Sequence, residues 1–462
     1  MERTKEQLRG IKMGYNFRAY DPDQLFLLPP SLDEWLPKDH LARFIDESAE
    51  LLDLAKFYEQ YRADGTGNTA YHPKMMVKVM LYGYCEGVTS SRKIAKGCED
   101  QVSFRYLSAN QNPGFRTIAR FRRDHEEALK KLFVEILVLC KKAGLVKMGK
   151  VALDGTKLKA NAALEANRDL EWIEKEVDRM LKDAAVVDDR EDAQYGGNLR
   201  GDEVPEELKS KQARLERLVK AKEKLEEEKA TAIKEHQEKL ARRAEEEKNE
   251  GKKKRGRKPC EKIKEKESKI NLTDEDSRIM KTRQGYVQGY NAQAAVDCES
   301  QIIVGQVITQ DCNDQKQLEP MLEVIEEQSG EIAEIILADA GYCSEANLAL
   351  ETNETEFFVA INKEWKTKKA QREEGSPRGR IPQGLTSTQL MERKLLTRRG
   401  RKYYRLRGKT VEPVFGQIKT CRGLTTLRLR GKGGATLEWS LWCTTHNLRK
   451  LWKWGMKNAS RN

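Results

Sequence analysis

Apolar residues recur at helical spacing through the first third of the chain. From His40 to Tyr58, Leu41, Phe44, Ile45, Leu51, Leu52 and Ala55 follow one face. From Glu126 to Gly144 a similar face ends at a glycine suited to a helix C-cap. Between them, residues 89–108 and 114–125 read as short helices, the first opened by Ser90 or Ser91 as N-cap. Residues 1–145 are therefore expected to form an all-helical domain. At 146–163 the period changes: Val151, Ala152 and Leu153 read as a short buried strand that Asp154-Gly155 stops.

From 164 to 282 Glu, Lys and Arg dominate, with a partial heptad through Leu208, Leu215, Leu218, Leu225 and Ala232 that Lys222 and Lys229 interrupt. This predicts an inserted segment, either an antiparallel helical hairpin or a short coiled coil. Strand signals return over 283–462. YVQGYNAQAAVD and QIIVGQVI pair as a hairpin, DQKQLEPMLEVIEEQ is an amphipathic helix, and EIILAD and FFVAI are short buried strands. A basic, loop-rich stretch is expected from about 362 to 400. A last motif, KTVEPVFGQIK, is helical and begins near Thr410 or bends there, because proline is tolerated only in a first turn. The alternation makes the fold class α/β.

Charge adds a partner to this picture. The 462 residues are 35% charged, against roughly 25% in an ordinary globular protein, and carry a net charge of +12. That balance suits a polyanion such as nucleic acid. The nine cysteines include no Cys-x-x-Cys pair, and the five histidines do not fall at zinc-ligand spacing, which argues against a zinc finger. Cysteines in apolar runs, such as Cys140, read as small core residues of a reduced, cytoplasmic protein. No stretch resembles a signal peptide or a membrane span, so no membrane partner is expected.

The basic residues cluster. Arg116, Arg120, Arg122 and Arg123 lie on the second of two short helices, an arrangement that fits either a helix-turn-helix reader of DNA or a solvated basic face. Within KKKRGRKP, Arg255-Gly256-Arg257 fits a narrow A·T-rich minor groove, as in an AT-hook, or else a plain disordered linker.

The acids converge by position. Asp154 and Asp339 each end a short apolar strand, where α/β sheets gather ligands. Glu412 lies beside a stripe made by Val411, Val414, Phe415 and Ile418, and shares the adjacent face with Gly416 and Lys419. Three carboxylates make a hard oxygen site suited to Mg²⁺ or Mn²⁺, and two such ions about 4 Å apart can serve phosphodiester cleavage. Two other acids are explained locally, Asp314 as an N-cap for the helix after it and Asp297 as a hairpin-turn residue.

Taken together, VALDGTKLKANA, YNAQAAVD, ILADAGYCSEAN and VEPVFGQIK resemble the successive motifs of bacterial insertion-sequence transposases of the DDE class. The block from PPSLDEWLPKDHLARFI through YHPKMMVKVMLYGYCEG is similar to the N-terminal, DNA-end-binding domain of one branch of that family. The resemblance implies a ribonuclease-H-like mixed sheet with flanking helices, Asp154 on its first strand, Asp339 on its fourth and Glu412 on a late helix. It further implies cleavage of double-stranded DNA at transposon ends and strand transfer into target DNA by a homo-oligomer, using two Mg²⁺ or Mn²⁺ ions. Tyr404, Arg407, Glu412 and Lys419 partly match a family signature, with one extra residue between Arg407 and Glu412. Arg407 and Lys419 are accordingly expected as DNA contacts, and Tyr342 as a candidate one. The rival readings are a catalytically silent DNA-binding regulator descended from a transposase, a nuclease that cuts without rejoining, and a structural adaptor built on the insertion.

Overall fold

In the computed structural model of the chain, the residues described are 31–61, 69–180, 182, 206–250, 269–282, 284–361, 369 and 375–459. Helices α1 (Leu41–Ala49), α2 (Ala55–Tyr58), α3 (Pro73–Cys85), α4 (Ser91–Asp100), α5 (Val102–Leu107), α6 (Phe115–Asp124) and α7 (Glu126–Lys142) precede the first strand. The face expected to run unbroken through residue 55 is interrupted. Asp53 Oδ1 accepts from the N–H of Ala55 at 3.0 Å and starts α2 afresh, leaving Leu51 69% exposed. After α7, Gly144 takes φ +72° and donates to the carbonyl of Lys141 at 2.8 Å, as a C-cap glycine should.

The main sheet holds β1 (Lys150–Lys159), β4 (Arg278–Thr282), β5 (Gly285–Asp297), β6 (Ile303–Thr309), β7 (Ile335–Ala338) and β8 (Glu356–Val359). Its order is β6-β5-β1-β7-β8, with β4 following β6 along the same edge of β5. Strands β5 and β6 are antiparallel to their neighbours, whereas β7 and β8 run parallel to β1. One expectation is corrected here. Asp154-Gly155 does not stop β1, which pairs with β5 from Val151 through Lys159, so its backbone groups are satisfied well beyond the turn-like dipeptide.

The charged insertion leaves and re-enters through a neck formed by β2 (Asn167–Arg168) and β3 (Ile270–Asn271), paired antiparallel. Beyond the neck, a helix over residues 170–180 lies against α8 (Glu206–Glu250) around a small separate core of Ile173, Leu218, Ala221, Leu225 and Ile270. The ion pairs Glu176–Arg214 and Glu174–Lys222 step in opposite directions along the two helices, which are therefore antiparallel. The heptad stops contributing after Leu225, since Ala232 is exposed.

After β6 come α9 (Leu318–Ser329), α10 (Glu345–Leu348), α11 (Ser387–Leu396), α12 (Arg398–Gly416), a π-helical turn (Gln417–Cys421) and α13 (Gly431–Ala459). Two expectations change. The stretch to residue 400 is helical from Ser387, and the late helix starts at Arg398 and carries Pro413 in its interior. Proline cannot donate to the carbonyl four residues back. That carbonyl, of Lys409, accepts instead from Gln301 Nε2 at 3.3 Å.

One hydrophobic core runs from Leu36 to Leu451 and joins the N-terminal helices to the sheet. Helix α13 packs on α3, α7 and β6 and ties them together. Asn447 bonds both the N–H and the carbonyl of Ile303 at 2.8 Å, and Trp439 Nε1 donates to the carbonyl of Gln293 at 3.2 Å. Trp439→Ala is expected to cost about 3–5 kcal/mol and to lower the unfolding midpoint of helical and sheet signals together in urea. Two separated transitions would contradict a shared core.

Candidate active site

The site arises where one strand outruns its neighbour. β7 pairs with β1 only from Lys150↔Ile335 to Ala152↔Leu337 and ends at Ala338, while β1 continues to Lys159. Carrying the register two residues on sets Asp154 opposite Asp339, which keeps an extended backbone at φ −84°, ψ −179°. Residues level in adjacent parallel strands share a face about 4.8 Å apart. Asp339 is stabilised locally, its Oδ1 accepting from the N–H of Gly341 at 2.8 Å.

Two like charges at this spacing resist ionisation together. Burial, first of all, and the neighbouring Asp339 push the Asp154 carboxyl up to about 7, against the pull of Arg407. Burial raises Asp339 as well, partly offset by the Gly341 N–H and by Arg407. The guanidinium of Arg407 is 3.1 Å from Asp154 Oδ2 and itself buried. Lys419, in the π-helical turn, donates to Thr156 Oγ1 at 2.6 Å and to the carbonyl of Lys157 at 2.8 Å, and burial lowers its ammonium. Both cations expected to touch DNA are thus turned inward onto β1 by the packing of α12 on the sheet.

A third carboxylate reaches the site by another route. Asp314 is not the N-cap expected of it: α9 opens after Gln317, and Asp314 Oδ1 accepts from Asn291 Nδ2 and Gln293 Nε2, each at 2.7 Å. It lies 3.6 Å from Lys157 Nζ and acts electrostatically on both Asp154 and Asp339. Gly155 makes this possible, since a Cβ there would fall 2.5 Å from both Asp314 Oδ1 and Gln293 Nε2. The glycine after the first acid was readable in sequence as a turn; its actual use is to let a carboxylate pass beneath the strand. Tyr342, a candidate DNA contact by sequence, is fully buried and donates to Gln293 Oε1. Asp297 does close the β5–β6 turn, accepting from the N–H groups of Glu299 and Ser300 at 2.9 Å.

Glu412 is not brought to the two aspartates. It is five residues from Arg407, so it points about 140° around the helix from it, and it is exposed. Its carboxylate lies back over Gly408, 3.5 Å from where a Cβ would stand, level with the turn that carries Arg407. Among the described residues no three His, Cys, Asp or Glu side chains form a metal-binding group. Of the N-terminal arginines, Arg116, Arg120 and Arg123 are exposed on α6. Arg122 is only 4% exposed and donates to the carbonyl of Thr89 at 2.9 Å over the ring of Tyr84, so it holds helices together and is not available to DNA. Arg255 and Arg257 lie outside the described residues.

Two family models match the chain, both describing transposases. A family model described as a transposase domain matches residues 30–124, and one described as a transposase DDE domain matches residues 230–448. Asp339 and Glu412 fall inside the second match, and Asp154 lies between the two. No curated protein and no solved structure matches the chain significantly.

Two outcomes follow from the geometry. Because folding raises the Asp154 carboxyl above its ordinary range, the folded chain holds a proton that the unfolded chain has lost between the ordinary value of 3.8 and about 7, and stability falls as pH rises through that window. Asp154→Asn should flatten the slope, so its melting temperature relative to wild type rises between about pH 5 and about pH 8; an unchanged difference would count against a buried, strained carboxylate. Gly155→Ala should destabilise by about 1–3 kcal/mol in urea and be partly rescued by adding Asp314→Ala. Full tolerance of the alanine would remove Asp314 from beneath β1.

Proposed function

The chain belongs to the DDE transposases, and on that premise we propose that it cuts DNA at the ends of a mobile element and joins the freed 3′ ends to target DNA. The observation that carries this reading is the register of β1 and β7, which, carried two residues past its last paired rung, sets Asp154 level with Asp339. A ribonuclease-H-like core is supported by the order β6-β5-β1-β7-β8, with an antiparallel half and a parallel half meeting at β1.

The family generally works with divalent metal ions. The donor set fits them: two adjacent hard-oxygen carboxylates, each held above its ordinary range by burial, present crowded negative charge that a cation relieves. Asp154 and Asp339 would hold Mg²⁺ or Mn²⁺; Glu412, the third acid of our reading, stands apart from them on the exposed side of α12. When bound, such ions activate water and stabilise charge on the phosphate. The protein's own part is positional. Arg407 favours the ionised form of Asp154 in a buried setting, and Lys419 ties the turn after α12 to β1, fixing the helix that carries Glu412. The exposed face of α6, with Arg116, Arg120 and Arg123, is our candidate for gripping the element ends.

The test is cleavage of labelled DNA carrying the element ends, with Mg²⁺ or Mn²⁺. Wild type should nick at the end and yield strand-transfer products. Asp154→Ala, Asp339→Ala and Glu412→Ala should each lose more than the roughly 10–100-fold that an outer-shell partner costs, while still binding DNA. Binding by wild type without any cleavage would favour the silent regulator, and cleavage without joining would favour a nuclease.

A further inference from the structure

Helix α12 has a second face that the chemistry above does not use. Arg398, Lys402, Arg405 and Lys409 are all exposed and follow i, i+4, i+7, i+11 spacing. At 100° per residue they lie within an arc of about 60°, opposite the side that carries Arg407, and they span about 16 Å of helix. Glu412 continues the series at the edge of the same arc.

These four cations differ from their neighbours in having no partner among the described residues. Lys394 pairs with Glu351 at 2.6 Å and Glu356 at 3.2 Å, and Arg399 pairs with Glu356 at 2.5 Å. Arg398, Lys402, Arg405 and Lys409 make no side-chain hydrogen bond or ion pair with any described residue. Four like charges one turn apart on a helix repel one another, by a few tenths of a kcal/mol per pair. An arrangement of this kind, with neutralising acids on the flanking residues and none on the stripe, is what a polyanion would compensate.

We propose that this stripe is a binding surface for the phosphate backbone of a DNA duplex, laid along α12 so that the strand leads to Glu412. The contact is independent of base sequence, because helix-borne cations at one-turn spacing meet phosphates and present nothing to base edges. A duplex carries one phosphate per strand about every 3.4 Å of its axis, so about 16 Å of stripe faces several phosphates of one strand. The proposal rests on the transposase reading for its purpose, which is to hold the DNA substrate against the outer face of α12, but not for its test.

The test is the salt dependence of binding of the full chain to a labelled duplex of arbitrary sequence, without divalent metal so that nothing is cut. Replacing Arg398, Lys402, Arg405 and Lys409 together with Gln should reduce the slope of log affinity against log salt by about three to four. Replacing Lys402 and Lys409 alone should give about half that change, which guards against misfolding of the fourfold variant, and Arg398→Lys with Arg405→Lys should keep the slope. A control removing the same charge from α8, at Arg217, Lys220, Lys234 and Lys239, should leave most of the slope intact. An unchanged slope in a folded stripe variant, or an equal fall in the control, would overturn the proposal. A lowered slope in a protein that never cleaves would keep the surface and reject the catalytic reading.

Discussion

Two carboxylates on neighbouring strands, held at one level and largely shielded from water, are the constraint around which this molecule is arranged. Asp154 and Asp339 face each other only because β7 stops at Ala338 while β1 runs on along β5. Buried like charges are costly, and the fold offsets that cost with fixed groups: Arg407 on one acid, the Gly341 N–H on the other. In the reading proposed above, the same cost is what a divalent cation would relieve.

Helix α12 therefore has two roles on two faces. Inward, Tyr404, Val411 and Val414 pack it against the sheet and Arg407 reaches the first acid. Outward, it presents a basic stripe, unpaired among the described residues, that ends at Glu412. The helix is locked along its length by unusual means, with Gln301 taking up the carbonyl that Pro413 cannot serve, and Lys419 tying the π-helical turn to β1. Behind it, α13 fuses the N-terminal helices to the sheet through Trp439 and Asn447, so a DNA duplex gripped at α6 would be held by the same rigid body as the acids.

The acids were legible in sequence because they follow apolar runs, VALD and IILAD, whose period announces buried strands. The insertion was legible because its composition changes abruptly, and β2 and β3 pair where it leaves and re-enters the chain. What could not be read was anything decided by register. Asp154-Gly155 looks like a turn, yet partner β5 carries the strand straight through it. Asp314 looks like a helix cap, yet tertiary packing draws it beneath Gly155. Arg122 is chemically identical to Arg123, and only the helix phase places one inside and the other in solvent. The extent of α12 was hidden because Pro413 signals a helix start by propensity, and the carbonyl it leaves unserved finds its partner in Gln301, more than 100 residues away in sequence.

The central claim is that Asp154 and Asp339 form one cation-receptive pair. Mn²⁺ binding followed by electron paramagnetic resonance, with wild type, Asp154→Asn and Asp339→Asn proteins in the absence of DNA, tests it directly. The account expects binding by wild type that strengthens as pH rises through about 7, where Asp154 loses its proton, and its loss in both variants. Binding that survives either substitution, or that does not respond to pH, would contradict it.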